Sequence, residues 1–289
     1  MKLFGRHLYR TMFGLAQVID LDEHVGSPLR VLKLGGVYQS ATYIDERRFE
    51  PVFAYYRAFD TVLQYPNTLL ARNGSADATT AHRAPHRVLV LGGGGYAWPK
   101  HVLATHPDAR LDVVEVDPAI TRIAREHFFL DEAIERFDPA HERLSLICAD
   151  GRALLDDIAE GLDRSYGAQP HAHYDAIVND AFSGSEPVHS LATVEAAQAA
   201  KACLAPDGLY AANVVSDFDR SNVAFLRNLA ATLLEAFDHV HVIPCPDEDY
   251  GGEDNYLVIA TDSNRQFADA VPFDEDFLGT PLHDGHLRA

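Results

Sequence analysis

Glycines and acids recur in this chain at the ends of short apolar runs, where backbone amides and side chains can meet a ligand. The apolar run 87–91 is followed by four consecutive glycines: Gly92, Gly93, Gly94 and Gly95. Glycine lets the backbone adopt positive φ angles and approach a ligand closely. An acid about 20 residues further on can accept hydrogen bonds from a ribose diol, and Glu115 stands there. The pattern predicts a site for an adenosine-type ligand.

The kind of nucleotide follows from what the glycine run lacks. Its spacing differs from Gly-x-Gly-x-x-Gly, and no Gly-Lys-Ser/Thr follows, which excludes a P-loop. Tyr96, Ala97 and Trp98 come next, and we expect these bulky residues to leave no room for a pyrophosphate. A nucleoside without phosphates fits better than a dinucleotide, although a glycine cluster can also serve only as a turn.

Two acids bracket the end of the next predicted strand, 111–116. Strand alternation puts Glu115 and Asp117 on one face. We assign Glu115 to the ribose hydroxyls and expect Val116 to line the same site. Asp117 precedes Pro118, a pattern typical of a helix cap. A capping role for both acids is the alternative.

A third acid follows the predicted strand 144–148. Asp150 could accept a hydrogen bond from an exocyclic amine such as adenine N6, and Gly151 beside it is predicted to line the ligand site. The same acid could cap the predicted helix 152–160. Both roles are compatible, since a carboxylate has several acceptor positions.

The candidate catalytic residue is the acid after the predicted strand 174–179. Asp180 at this edge could take a proton from an amine nucleophile, or could only shape a turn. The loop after it is expected to line the acceptor site through Ser183, Glu186 and His189. The histidine could equally lie on the surface. The acids within 247–254 are either a solvated loop or an acidic rim for a cation.

Composition limits the partners and the location. The 289-residue chain has a formal net charge of -19, and it has no basic stripe for a nucleic-acid backbone. Acidity suits a cationic substrate, solubility or a salt-adapted host.

The histidines and three cysteines show no metal-ligand spacing, so no metal is predicted. No apolar run reaches the ~18 residues that span a bilayer and no signal-type core is present, so the expected location is the cytoplasm, away from membranes.

Hydrophobic periodicity divides the chain into four parts. Residues 1–48 form a small β-rich domain, with strands predicted at 16–21, 29–34 and 37–43. Residues 49–86 supply a helix and a polar linker, the linker being 71–86. Residues 87–262 alternate between strands and helices, which predicts an α/β fold with a mostly parallel, doubly wound sheet. Residues 263–289 are expected to form a surface tail. Every motif above lies at the carboxyl end of a strand, where such sheets bind ligands.

Taken together, these motifs resemble those of the spermidine synthase family, the polyamine aminopropyltransferases, over about residues 14 to 261. The similar stretches are 34–40 with "LDGxxQ", 90–94 with "IGGGDGG", 114–117 with "VEID", 149–152 with "GDGR", 174–180 with "YDVIIxD" and 204–208 with "LKPGG". The sequence is most similar to the divergent spermidine synthase-like subgroup with "GGGG" and "DxFxG" motifs.

The resemblance implies a class I methyltransferase-like Rossmann domain with a small N-terminal β-domain. It assigns Glu115 to the ribose, Asp150 to adenine and Asp180 to deprotonation of the attacking amine, and it puts Gln39 near the nucleotide. It also implies decarboxylated S-adenosylmethionine or S-adenosylmethionine as cosubstrate, a cationic amine as the other reactant, and a homodimer formed through the N-terminal β-region.

Departures from the family pattern fall in the polyamine half of the site. Gly95 stands where the family has a loop aspartate that grips the aminopropyl ammonium, and Ser183 replaces the second aspartate of "DSSDP". The family's "YHE" reads Phe49-Glu50-Pro51. Glu186, Asp217 or the acids within 247–254 could replace the missing carboxylates.

Three functions fit these residues. The first is aminopropyl transfer from decarboxylated S-adenosylmethionine to a diamine such as putrescine, with Asp180 as the base. The second is methyl transfer from S-adenosylmethionine to an unknown acceptor, since Gly95 removes a charge that would repel the methionine carboxylate. The third is non-catalytic nucleoside binding. The β-domain and Gln39 favour the first.

Overall fold

The structure is a computed structural model that describes residues 3–24, 27–64, 86–162, 173–183, 186–217, 221–247 and 253–285. A small antiparallel sheet packs against a larger α/β domain with a mostly parallel seven-stranded sheet. The fold class predicted from the sequence is confirmed. Residues 71–85, most of the predicted linker, lie outside the described residues.

The N-terminal sheet contains four antiparallel strands in sequential order: β1 (Leu3–Thr11), β2 (Gly14–His24), β3 (Ser27–Leu34) and β4 (Val37–Tyr43). The pattern of the sequence predicts the last three strands but not β1. The reason is that β1 lacks the usual alternation: Leu8 is 54% exposed, whereas the polar side chains of His7 and Tyr9 contact His127 of the larger domain. After β4 the chain forms one short helix, α1 (Ala54–Phe59), and a 3-10 turn.

The larger sheet is built from the following strands: β5 (Arg87–Leu91), β6 (Arg110–Glu115), β7 (Leu144–Cys148), β8 (Tyr174–Asn179), β11 (Leu204–Asp217), β12 (His239–Cys245) and β13 (Glu253–Thr261). A two-stranded hairpin, β9 (Phe182–Ser183) and β10 (Glu186–Pro187), lies after β8. The strand order is β12-β13-β11-β8-β5-β6-β7, and β13 runs antiparallel to the other six strands. The order therefore reverses between β5 and β8.

Helices cover both faces of this sheet: α2 (Ala97–Thr105), α3 (Pro118–His127), α4 (Leu130–Phe137), α5 (Gly151–Ala159), α6 (Val194–Cys203) and α7 (Ser221–Leu234). Val88 and Val90 of β5 pack towards α2, α3, α4 and the N-terminal sheet, and Leu89 and Leu91 pack towards α5, α6 and α7. This double burial explains why the strands read as continuous apolar runs. The sequence does not predict α4, because Phe129 in the left-handed conformation (φ 60°) separates it from α3.

The segment 263–285, predicted as a surface tail, follows α7 and α6 and reaches α5. The Arg227 side chain donates to the Phe277 carbonyl, and the Val194 N–H donates to the Leu282 carbonyl. Its last described residues include Asp284, which pairs with Arg152 at 2.8 Å. In the described part of the chain, no helix is long and apolar enough to cross a membrane.

A buried lysine joins the N-terminal sheet to helices of the larger domain. Lys100 of α2 is 1% exposed, and its ammonium donates to the carbonyl of Phe128 and, at 3.4 Å, to the hydroxyl of Thr42 in β4. Because burial disfavours the charged amine, it lowers the pKa of Lys100 from 10.5 to about 7.

The first prediction concerns Lys100→Met, which removes this titration. Between pH 7 and 10.5 the unfolded chain holds the Lys100 proton and the folded chain releases it. The wild type should therefore gain stability relative to the variant as pH rises through this range, by up to about 1.4 kcal/mol per pH unit. Urea denaturation of both proteins measures the difference. A difference that does not change with pH would contradict the assignment.

Candidate functional site

A cavity of about 1080 Å³ lies at the carboxyl end of the larger sheet, where the strand order reverses, and the N-terminal sheet forms its opposite wall. Ligands of open α/β sheets bind at this position. The volume lies at the upper end of small-molecule sites and has room for two reactants. Nine of the residues predicted from the sequence line it: Gln39, Gly92, Gly94, Glu115, Val116, Asp150, Gly151, Asp180 and His189.

The glycine run forms a tight turn between β5 and α2. Gly92 has a φ of 97°, and a Cβ there would lie 2.5 Å from the Asp180 carbonyl oxygen. The absence of a side chain lets the ends of β5 and β8 come together. Of the four glycines, Gly94 opens on the cavity, where a Cβ would meet only the Gln39 carbonyl, at 3.7 Å.

Two of the four glycines that were predicted to contact the ligand, Gly93 and Gly95, do not line the cavity. A Cβ at Gly93 would lie 2.7 Å from the Tyr96 ring, and one at Gly95 would lie 2.5 Å from the Ser40 hydroxyl. Gly95 therefore faces the packing between the two sheets, and an acid at this position would not enter the cavity without a change in the loop.

The residues after the glycines were expected to crowd a pyrophosphate, and this reason is wrong. Tyr96 and Trp98 are 0% and 1% exposed and belong to the core beside the N-terminal sheet. The Tyr96 hydroxyl lies 2.9 Å from Thr121, and the Trp98 indole donates to Asp60. Tyr96 adopts the left-handed conformation, with φ 53°, which turns its ring away from the cavity.

Glu115 holds the glycine turn. Its carboxylate, 8% exposed, accepts the Gly93 and Gly94 N–H groups at 3.0 and 3.3 Å, and the Asp117 N–H at 2.9 Å. Burial raises the pKa of Glu115, and the three backbone donors oppose that shift. About one acceptor position of the carboxylate remains for a ligand.

Asp150 lies at the rim of the cavity and caps α5, accepting the Ala153 N–H at 2.9 Å. Beside it, the Arg152 guanidinium is bound by Asp156 at 2.9 Å and by Asp284 at 2.8 Å. These two carboxylates raise the pKa of Arg152 and form ion pairs with its guanidinium, so its charge is already compensated. Asp150 therefore caps a helix as the sequence predicts, and it still faces the cavity.

Asp180 lies at the end of β8 and accepts a hydrogen bond from the first of two linked amides. Asn213 of β11 donates to Asp180 Oδ1 at 2.9 Å, and Asn255 of β13 donates to Asn213 Oδ1 at 2.8 Å. Both asparagines line the cavity, and no pattern in the sequence indicates them. Burial raises the pKa of Asp180 to about 7, with the Asn213 hydrogen bond opposing the shift.

Aromatic residues of α1 face Asp180 across the cavity. Phe53, Tyr55 and Tyr56 line it, and the charge of Asp180 contributes to raising the pKa of both tyrosines, after burial. Asp247 also lines the cavity and accepts the Ala54 N–H at 2.9 Å. Asp247 is thus one of the acids predicted to replace the family's missing carboxylates, and it lies at the site.

The segment Phe49-Glu50-Pro51, which departs from the family's "YHE", contributes no residue to the cavity wall. Phe49 packs against Phe137 at 5.1 Å between ring centroids and does not line the cavity. The aromatic run that follows in the sequence supplies the site instead, and its spacing on one short helix was the available signal.

The loop after Asp180 is described in part. Ser183 and Glu186 pair through their backbones in the β9–β10 hairpin, and their side chains lie outside what the structure describes. His189 is exposed, lines the cavity and lies 6.2 Å from the Phe225 ring centroid. The side chain of Asp217 is likewise outside the described part.

The cavity wall carries an excess of negative charge. Its described carboxylates are Glu115, Asp150, Asp180 and Asp247. The one Lys or Arg among its described residues is Arg152, whose charge is already paired. Such a wall favours cationic ligands over phosphates or carboxylates. Over the same described residues, no group of three or more His, Cys, Asp or Glu could hold a metal ion.

Comparison with known proteins identifies the relatives of this chain. The family described as "Spermine/spermidine synthase domain" matches residues 77–243, more than half of the chain. A polyamine aminopropyltransferase from Vibrio vulnificus is 30% identical over 132 residues, covering 46% of this chain and 38% of that protein. An N-terminal histidine N-methyltransferase from Emericella nidulans is 27% identical over 218 residues, covering 72% of this chain and 35% of that protein. The chain therefore spans less than half the length of both relatives.

Solved structures share the fold. A probable spermidine synthase from Corynebacterium glutamicum has a TM-score of 0.68 at 21% identity, covering 96% of both chains. The spermidine synthase from Thermotoga maritima has a TM-score of 0.61 at 19% identity, covering 94% of this chain and 76% of that one. Human methyltransferase-like protein 13 has a TM-score of 0.54 at 21% identity, covering 78% and 86%. The resemblance seen in the sequence is confirmed.

The second prediction compares two glycines of the cavity wall. Gly92→Ala should destabilise the protein by about 1–3 kcal/mol or more, because its φ of 97° is unfavourable for alanine and the Cβ meets Asp180. Gly151→Ala is the matched control: its Cβ would make an ordinary contact, 3.5 Å from Leu91, so stability should stay within about 1 kcal/mol. Chemical denaturation measures both, and equal effects would contradict this reading of the turn.

Proposed function

The chain belongs to the spermine/spermidine synthase domain family, and from that premise we propose that it is an aminopropyltransferase. Its donor is decarboxylated S-adenosylmethionine and its acceptor is a diamine of the putrescine type. The observation that carries the proposal is the acidic cavity at the switch point, where four described carboxylates face a single arginine that is already paired.

The wall supports a donor without a carboxylate. Both the sulfonium and the aminopropyl ammonium of this donor are cations, which the acidic wall attracts. The methionine carboxylate of the intact donor would need backbone amides or a cation. The Gly93 and Gly94 amides are engaged by Glu115, and Arg152 is engaged by Asp156 and Asp284.

Each residue has a proposed role in the transfer. Glu115 and Asp150 bind the ribose and adenine, with Gln39, Val116 and Gly151 beside them. The acceptor nitrogen attacks the carbon next to the sulfonium, so that an N–C bond forms. The C–S bond breaks, and its electron pair goes to sulfur, which leaves neutral methylthioadenosine.

The proton released by the nitrogen goes to Asp180, whose pKa of about 7 suits a base near neutral pH. Much of the acceleration comes from positioning of the two reactants. Asp247, Tyr55 and the loop with Ser183, Glu186 and His189 contact the acceptor. Asp247 supplies a carboxylate on the acceptor side that the motif positions Gly95 and Ser183 lack.

Methyl transfer from S-adenosylmethionine is the second candidate, favoured by the similarity to a histidine N-methyltransferase. Its sequence argument was the loss of a repelling acid at Gly95. Position 95 faces away from the cavity, so the loss of an acid there does less to favour the intact donor. A homodimer and a cytoplasmic location stay predictions.

The third prediction is the product of the reaction. With decarboxylated S-adenosylmethionine and putrescine, the wild type should release methylthioadenosine and an amine enlarged by one aminopropyl group, both read by mass spectrometry. With the intact donor, formation of S-adenosylhomocysteine and a methylated amine would contradict the proposal and support the second candidate.

The fourth prediction concerns Asp180→Asn, which keeps the shape of the side chain. The wild-type kcat/KM should rise with pH through about 7, as the Asp180 carboxyl loses its proton. The variant should lose this rise and turn over about 10²–10⁴ times more slowly, with nearly unchanged affinity for methylthioadenosine. Asp175→Asn is the control, because Asp175 on the same strand accepts the Arg87 N–H and does not line the cavity. Wild-type turnover by Asp180→Asn would refute the base assignment.

A further inference from the structure

The turn between β1 and β2 reaches the cavity from the N-terminal sheet. Met12 and Phe13 form this turn, and both line the cavity while 65% and 43% exposed. Turns usually carry small or polar residues such as Gly, Asn, Asp and Ser. Two large apolar side chains at a turn that face a ligand cavity are therefore placed to contact the ligand.

A single carboxylate fixes this turn to the larger domain. Asp117, 2% exposed, accepts the Met12 N–H through Oδ2 at 2.5 Å and the Ala119 N–H through Oδ1 at 2.9 Å. The second bond is the helix cap that the sequence predicts, and the first is one that it does not predict. Asp117 therefore serves two elements that are more than 100 residues apart in the chain.

The same residue connects the turn to the glycine loop. The Asp117 N–H donates to Glu115 Oε1 at 2.9 Å, and Glu115 Oε2 accepts the Gly93 and Gly94 amides. The path from the turn to the glycine loop thus consists of two carboxylates and backbone amides. Both carboxylates are buried, which makes these charge-assisted bonds strong and directional.

We propose that Met12 and Phe13 are nucleoside-binding residues that cover a thioether or sulfonium nucleoside held at Glu115, and that Asp117 is the positioning residue that holds them there. This inference rests on the proposed function. A purine ring and a thioether offer polarisable apolar surface, which Phe and the flexible Met side chain suit. Covering the ligand buries the exposed surface of both residues and adds affinity.

Methionine oxidation tests the contact without an activity assay. Met12 is one of two methionines in the sequence, the other being Met1. Peroxide, in large excess over the ligand, is added with and without saturating methylthioadenosine, and sulfoxide in the Met12 peptide is followed by mass spectrometry. We expect the ligand to slow Met12 oxidation several-fold. Glu115→Ala, which should not bind the ligand, should lose this protection.

Matched variants test the two roles by calorimetry with methylthioadenosine. Asp117→Asn keeps the helix cap, because Asn caps as well as Asp, but it loses a carboxylate oxygen that accepts the Met12 N–H. We expect about tenfold weaker binding, measured well below the melting temperature of the variant, because the loss of this buried hydrogen bond also lowers the stability. Phe13→Ala should also weaken binding several-fold. Leu15→Ala is the control, since Leu15 lies in the same hairpin, is 52% exposed and does not line the cavity.

The outcomes separate this inference from the proposed function. Protection of Met12, with weaker binding by Phe13→Ala and Asp117→Asn only, supports it. Binding of methylthioadenosine without protection of Met12, or equal affinities for Phe13→Ala and Leu15→Ala, would overturn this inference and leave the proposed function standing. Failure of the wild type to bind any adenosine thioether or sulfonium would overturn both.

Discussion

The carboxylate of Glu115 is the interaction on which the site depends. It accepts backbone N–H groups from Gly93, Gly94 and Asp117, so one side chain fixes the glycine loop after β5 and the start of α3 after β6. Because these amides are engaged, the loop is not a free anion site, unlike the glycine loops that bind phosphates. The engaged amides are therefore the physical reason to expect a nucleoside without phosphates. The bulk of Tyr96 and Trp98 is not the reason, because both side chains lie in the core.

The cavity has two ends with different chemistry. At the end near β6 and β7, Glu115 and Asp150 are acceptors whose positions are fixed by backbone donors. At the other end, Asp180 is held by Asn213 and faces Tyr55 and Tyr56 of α1. Gly92 joins the two ends, because its missing side chain lets β5 and β8 approach. A carboxyl with a pKa near 7 beside an acidic, aromatic wall suits an amine nucleophile that must lose its proton.

The sequence predicts the strand ends well and the tertiary contacts poorly. Continuous apolar runs followed by glycines or acids reveal β5 to β8, and the motifs at their ends lead to Glu115, Asp150 and Asp180. The sequence pattern does not predict strand β1, because its polar residues pack against α3 and its apolar Leu8 is exposed. The orientation of Gly95 and Tyr96 depends on the packing of the N-terminal sheet, which spacing along the chain does not encode. Asn213, Asn255 and the aromatic residues near α1 come from elements distant in sequence, so no local pattern joins them to Asp180.

We propose that the cavity binds a nucleoside sulfonium that has no carboxylate, and titration calorimetry of the two donors is the sharpest test. Decarboxylated S-adenosylmethionine should bind at least about tenfold more tightly than the intact compound, since the carboxylate of the latter would lose its solvent hydrogen bonds without finding a free partner. Equal affinities would contradict this proposal, and tighter binding of the intact donor would contradict it and favour a methyltransferase.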